Sequence, residues 1–126
     1  MKSIILLAAL TLAGCSTLTP QAHQQRVNTQ RAHLPYLIRI GGTHSMSTVI
    51  PAGSTQIVRA LPYDRLQSGM AVIFWPIGWG APVCHFVGSR VGTDSWQTHG
   101  MNQPSDLTTL GFLLTRDNYI GVIRGN

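Results

Sequence analysis

Apolar and polar positions divide the chain into three textures. Ile4 to Leu12 form an apolar stretch behind Lys2, too short for a stable membrane span. Residues 16 to about 33 (STLTPQAHQQRVNTQRAH) are polar and carry no apolar period, which predicts a tether with at most a short helical turn. From Leu34 onward short β-rich runs follow one another: Leu37–Ile40, Gln56–Ala60, Ala71–Trp75, Val83–Val87 and Tyr119–Ile123. Turn signals separate them at Gly41-Gly42, Pro51-Ala52-Gly53, Gln67-Ser68-Gly69, Gly78 to Pro82 and Gly100 to Pro104. No window of helix length shows a clean 3.6-residue period. Residues 34–126 are therefore expected to be mainly β, a single compact antiparallel β domain built as a sandwich or partly open barrel with long loops.

Composition narrows the function classes. Beyond residue 14 the chain holds eight arginines and four aspartates, no glutamate and no lysine, since Lys2 is the only one. The arginines are scattered rather than clustered, so nucleic acid is not an expected partner. A modest positive charge favours acidic envelope surfaces weakly.

The apolar stretch runs into Leu12-Ala13-Gly14-Cys15. Small residues before a cysteine suit a narrow peptidase pocket, and the thiol can accept a diacylglycerol. This run is similar to the lipobox of bacterial lipoprotein signals. The resemblance implies a signal peptide over residues 1–14 and a lipidated Cys15, with a tether over residues 15–33. It implies no cofactor beyond the diacylglycerol and N-acyl groups on Cys15. Multiple acyl chains on one residue anchor durably where one does not. Ser16 rather than aspartate after the cysteine implies an outer-membrane lipoprotein facing the periplasm in a Gram-negative host. The alternative is an ordinary secretory signal that happens to end at a cysteine. With Cys15 acylated, Cys84 is the sole thiol and no internal disulfide can form.

A second resemblance spans roughly residues 40 to 123. The segment Gly42-Thr43-His44-Ser45-Met46-Ser47-Thr48-Val49-Ile50-Pro51-Ala52-Gly53 resembles the Ser-Met-x-Pro-Thr-Ile-Pro-x-Gly nucleophile segment of the signal peptidase I and LexA-like serine peptidases. Tyr63 to Phe74 follows that superfamily's Gly-Asp-Ile-Val-x-Phe strand, with Met70 in place of the acid. Val83-Cys84-His85-Phe86-Val87 resembles the Ile-His-Arg-Val strand of its histidine-using branch. Trp96 to Asp106 resembles that branch's Thr-Lys-Gly-Asp-Asn-Asn-x-x-x-Asp segment, and Asp117 to Gly121 its closing strand.

The resemblance implies a membrane-anchored serine endopeptidase acting on exported proteins or peptides. A serine hydroxyl needs a neighbouring base, and the lysine used by the bacterial branch is absent beyond residue 14. Ser45 is then the implied nucleophile, His85 its base and Asp106 the acid that orients the ring. The Ser45 amide and the Thr43 hydroxyl would form the oxyanion hole. Each residue has a structural alternative: Ser45 a turn residue, His85 a satisfied core histidine, Asp106 a turn cap before Leu107. His99 replaces a family lysine and is expected on a loop. Cys84 cannot form a dyad with His85, because successive strand residues face opposite sides. The histidine spacings lack a His-x-His or His-x-x-x-His pair, so no metal site is expected. Thr48, Met70 and Met101 depart from the family pattern, the last two replacing aspartates. A catalytically inactive envelope lipoprotein that uses the same fold for binding or structural support is the competing reading.

Overall fold

The computed structural model describes residues 19–40, 50–51, 53–100 and 112–124. The described chain opens with a helix, α1 (Pro20–Ala32). Thr19 caps it, its Oγ1 accepting from the Ala22 amide at 3.1 Å, and Pro20 sits at the start, where a missing N–H leaves nothing unpaired. The stretch expected as a tether is, over these residues, a packed element. Val27 is its one fully buried apolar side chain, and a single apolar anchor produces no period. Polar contacts supply the rest. His23 Nε2 donates to the Trp75 carbonyl at 2.8 Å, Gln24 Nε2 to that of Asp117 at 3.0 Å, and Arg31 Nε to that of Tyr119 at 2.7 Å. Among the described residues α1 is therefore part of the packed body along with the chain from Leu34.

Seven strands follow among the described residues. β1 (Tyr36–Arg39) and β2 (Thr55–Val58) form an antiparallel pair with Tyr36 opposite Val58. β3 (Ala71–Phe74), β4 (Val83–Val91), β5 (Ser95–His99), β6 (Leu113–Thr115) and β7 (Tyr119–Arg124) make an antiparallel sheet in the order β6-β5-β4-β3-β7. The mainly β, antiparallel architecture expected from the sequence is thus present. Reciprocal bonds between Arg59 and Val122, at 2.8 and 2.9 Å, join the two sheets. Gly121 permits that approach: a Cβ there would lie 2.7 Å from the Arg59 carbonyl oxygen.

β6 and β7 lie at opposite edges of the larger sheet, yet only Arg116, Asp117 and Asn118 connect them. Such a link spans roughly 14 Å at most. In a flat sheet, four inter-strand steps would separate the edges by about 19 Å. The sheet must therefore curl toward a partly open barrel. Asn118 fastens the seam, its Oδ1 accepting from the Thr115 amide at 2.9 Å and its Nδ2 donating to the Leu113 carbonyl at 3.0 Å.

Alternation along the strands yields two cores. Val72, Phe74, Val87, Trp96, Leu114, Tyr119 and Val122, drawn from all five strands, fill the concave side. Ala71, Ile73 and Phe86 face the other way, and Val27, Val58, Ile40 and Ile50 cover them. The sheet is thus buried on both faces, which is why Ala71 to Phe74 reads as a continuous apolar run.

Candidate functional site

His85 lies on β4 opposite Val72 of β3, and its side chain enters the concave core. It is 8% exposed. The ring stands edge-on to Phe74 at 6.1 Å between centroids and tilted against Phe112 at 5.6 Å. One strand away, Thr98 of β5 is fully buried on the same face, with its Oγ1 3.1 Å from His85 Nδ1. The Thr98 hydroxyl donates to the Phe112 carbonyl at 2.8 Å. With its one proton committed there, the hydroxyl can only accept from the ring, so Nδ1 carries the hydrogen. The chain of bonds fixes the neutral Nδ1–H tautomer and leaves the lone pair on Nε2, the arrangement a general base requires. Burial, aided by the nearby charge of His99, pushes the His85 pKa down to about 4. The ring is neutral at physiological pH.

Cys84 projects to the other face of β4 and packs beside Phe86 against the cluster that Ala71 and Ile73 share. Burial pushes its thiol up to about 12, so it holds no thiolate at neutral pH. His99 is the last residue of β5, opposite Phe86, with the two rings 5.9 Å apart. It is a strand residue rather than the loop residue expected, and it occupies the face opposite His85. Among the described residues no three His, Cys, Asp or Glu side chains come together as a metal site.

Ser45, Thr43, Asp106 and Cys15 lie outside the described residues, as do Thr48 and Met101. The flanks of their segments are described. Residues 41–49 depart from Ile40 and return at Ile50, both buried in the cluster on the Phe86 face rather than the His85 face. Ile40 is held by its amide to the Ser54 carbonyl and by the Gly53 amide to its own carbonyl, both at 2.9 Å. The segment 101–111 leaves after Gly100 and returns at Phe112, the residue that touches the His85 ring and receives the Thr98 hydroxyl. The triad reading gives Nδ1 to Asp106; the observed partner there is Thr98.

Thr98, Phe74 and Phe112 were not among the residues singled out by the sequence. Trp96 and Thr98 alternate with Ser95, Gln97 and His99 between turn residues at Gly92 to Asp94 and Gly100, a strand signal weakened by its polar members. A wide cleft of about 590 Å³ lies beside this region, bordered by Pro20 and His23 of α1, Pro76 and Ile77 of the β3–β4 loop, and Phe112 and Leu113 at β6. Phe112 both borders the cleft and packs against the imidazole. Comparison with protein-family models, curated proteins and solved structures finds no match for the chain.

Proposed function

We propose that the protein is a lipid-anchored serine endopeptidase of the cell envelope, resembling signal peptidases, in which Ser45 attacks the scissile carbonyl and His85 Nε2 takes its proton. One observation carries the reading: the bond chain His85 Nδ1–H to Thr98 Oγ1 to the Phe112 carbonyl, which presents an unprotonated Nε2. With Nδ1 engaged by Thr98, the reading that fits is a Ser/His dyad with Thr98 as its positioning residue, rather than a triad through Asp106. The Ser45 amide and Thr43 hydroxyl are assigned to the oxyanion. The lipobox-like run ending at Cys15 supports a site of action outside the cytoplasm, on the outer membrane if the host is Gram-negative, with exported proteins as the substrates. The test compares processing of envelope proteins in cells that carry the wild-type chain, Ser45→Ala or His85→Ala. Accumulation of the same uncleaved precursor in both variants supports the proposal, and unchanged processing of every envelope protein defeats it.

A second reading has its own observation. His85 is enclosed by Phe74 and Phe112, while Ile40 and Ile50, the anchors of the Ser45 segment, sit on the opposite face of the sheet. An envelope lipoprotein that keeps His85 as a core hydrogen-bonding residue and serves for binding or structural support accounts for this placement. In that case both variants process envelope proteins as the wild type does, while His85→Ala loses stability.

A further inference from the structure

In an antiparallel ribbon that covers a core, alternation should turn polar side chains outward. The ribbon of β1 and β2 keeps the alternation and breaks the polarity. Its inner side gives Val58 to the cluster that holds Phe86, with Tyr36 and Ile38 packed against it. Its outer side carries Leu37, 67% exposed, and Ile57, 52% exposed. These two are register partners, so their side chains lie side by side and make one apolar spot.

Arginines close the spot at both ends. Arg39 lies two residues beyond Leu37 at the end of β1. Arg59 lies two residues beyond Ile57, where its backbone bonds to Val122 extend β2. Both are exposed, and the same alternation puts them on the outer side. Because the strands are antiparallel, the two arginines stand at opposite ends of the ribbon. Four residue steps along it and one strand spacing across it set their Cα atoms about 14 Å apart. Among the described residues the ion pairs are those of Arg116 with Asp64 and Asp94, and neither Arg39 nor Arg59 meets a carboxylate.

Charge and spacing together specify the occupant. A guanidinium takes a carboxylate in a bidentate fork. An extended segment repeats its side-chain direction every two residues, and four of its steps span about 13 Å. It can therefore set an apolar residue on Leu37 and Ile57 and an acid, two positions to either side, on Arg59 and Arg39. A second copy offers no such match: this side bears two arginines and, among the described residues, no acid, so self-pairing would bring like charges together. A bilayer would meet the arginines without regard to their spacing.

We infer that the outer side of β1 and β2 docks an extended acidic segment of a partner protein, of the pattern acid-x-apolar-x-acid. The ribbon covers the face of the larger sheet opposite His85, and the inference does not rest on the peptidase reading.

The test measures binding of fluorescein-labelled peptides to the full chain, in a non-ionic detergent, by fluorescence anisotropy. One peptide carries Glu-Thr-Leu-Thr-Glu. Its control carries the same residues as Thr-Glu-Leu-Glu-Thr, in which the acids face away from the leucine. The expected result is saturable binding of the first, about tenfold or more tighter than that of the control. Leu37→Ser combined with Ile57→Ser, both at exposed positions, weakens it by a similar factor. Arg39→Glu combined with Arg59→Glu abolishes it and creates binding of Lys-Thr-Leu-Thr-Lys, a switch that a misfolded chain could not make. Absence of saturable binding overturns the inference, as does a charge swap that fails to reverse the peptide preference. Equal binding of both acidic peptides also overturns it, since the face then reads charge alone, as it would on an anionic membrane. A dimer in sedimentation velocity that the arginine swap dissociates and the peptide does not assigns the face to a second copy and overturns it too.

Discussion

Lowering the pH from about 7 to about 4.5 is expected to destabilise the protein through His85. In the unfolded chain the imidazole binds a proton near the ordinary histidine value of about 6.5. In the folded chain burial between Phe74 and Phe112 delays protonation to about 4. Between those values the unfolded state holds more protons, so stability falls as pH falls. The lost stability grows by at most about 1.4 kcal/mol per pH unit and totals about 3 kcal/mol once both values are passed, a large share of a small domain's stability. Protonation would also break the local logic. A charged ring needs acceptors at both nitrogens, and Thr98 already serves Nδ1. Urea denaturation of the wild-type chain and of His85→Gln at a series of pH values isolates the effect. The wild type is expected to lose stability faster than the variant through this window, and the two slopes to converge above about pH 7. Equal slopes throughout, or an NMR titration that places the His85 ring near the ordinary value, would overturn this expectation.

Other consequences follow from particular contacts. Thr98→Val leaves the Phe112 carbonyl and His85 Nδ1–H without their partner and is expected to cost about 1–3 kcal/mol in denaturant unfolding, with Thr98→Ser recovering most of it. Gly121→Ala drives a Cβ into the Arg59 carbonyl and is expected to cost about 1–3 kcal/mol by the same measurement, with loss of amide-exchange protection at Arg59 and Val122. Val27→Ala removes the one fully buried apolar side chain of α1 and is expected to cost about 2 kcal/mol. In that variant limited proteolysis should cut between residues 20 and 32 before it cuts the strands.

The strands most legible in the sequence were those buried on both faces or flanked by strong turns. Ala71–Phe74 and Tyr119–Arg124 are apolar runs because each meets both cores. Ser95–His99 and Leu113–Thr115 escaped. The first alternates polar and aromatic residues, and the second is a three-residue edge strand beyond a Gly- and Pro-bearing stretch. α1 escaped for a different physical reason: it docks by giving His23, Gln24 and Arg31 hydrogen bonds to backbone carbonyls, and such bonds leave no hydrophobic period. Within the candidate site, His85 was singled out through the family resemblance of Val83–Val87, while its place in a β-rich run pointed equally to a core histidine. Its tautomer was not legible, because that is set by Thr98, thirteen residues away and adjacent only after β4 and β5 pair. Asp106, the orienting group named from the sequence, lies outside the described residues, and on the neighbouring strand the Thr98 hydroxyl holds Nδ1.

The most direct test of the enzyme reading is covalent. An alkyl fluorophosphonate reacts with serines activated by a neighbouring base, and peptide mass spectrometry locates the adduct. An adduct is expected on Ser45 in the folded wild-type chain, absent in Ser45→Ala, strongly reduced in His85→Ala and in Thr98→Val, and partly restored in Thr98→Ser. A folded wild-type chain that takes up no probe at Ser45, or labels there equally well without His85, contradicts it.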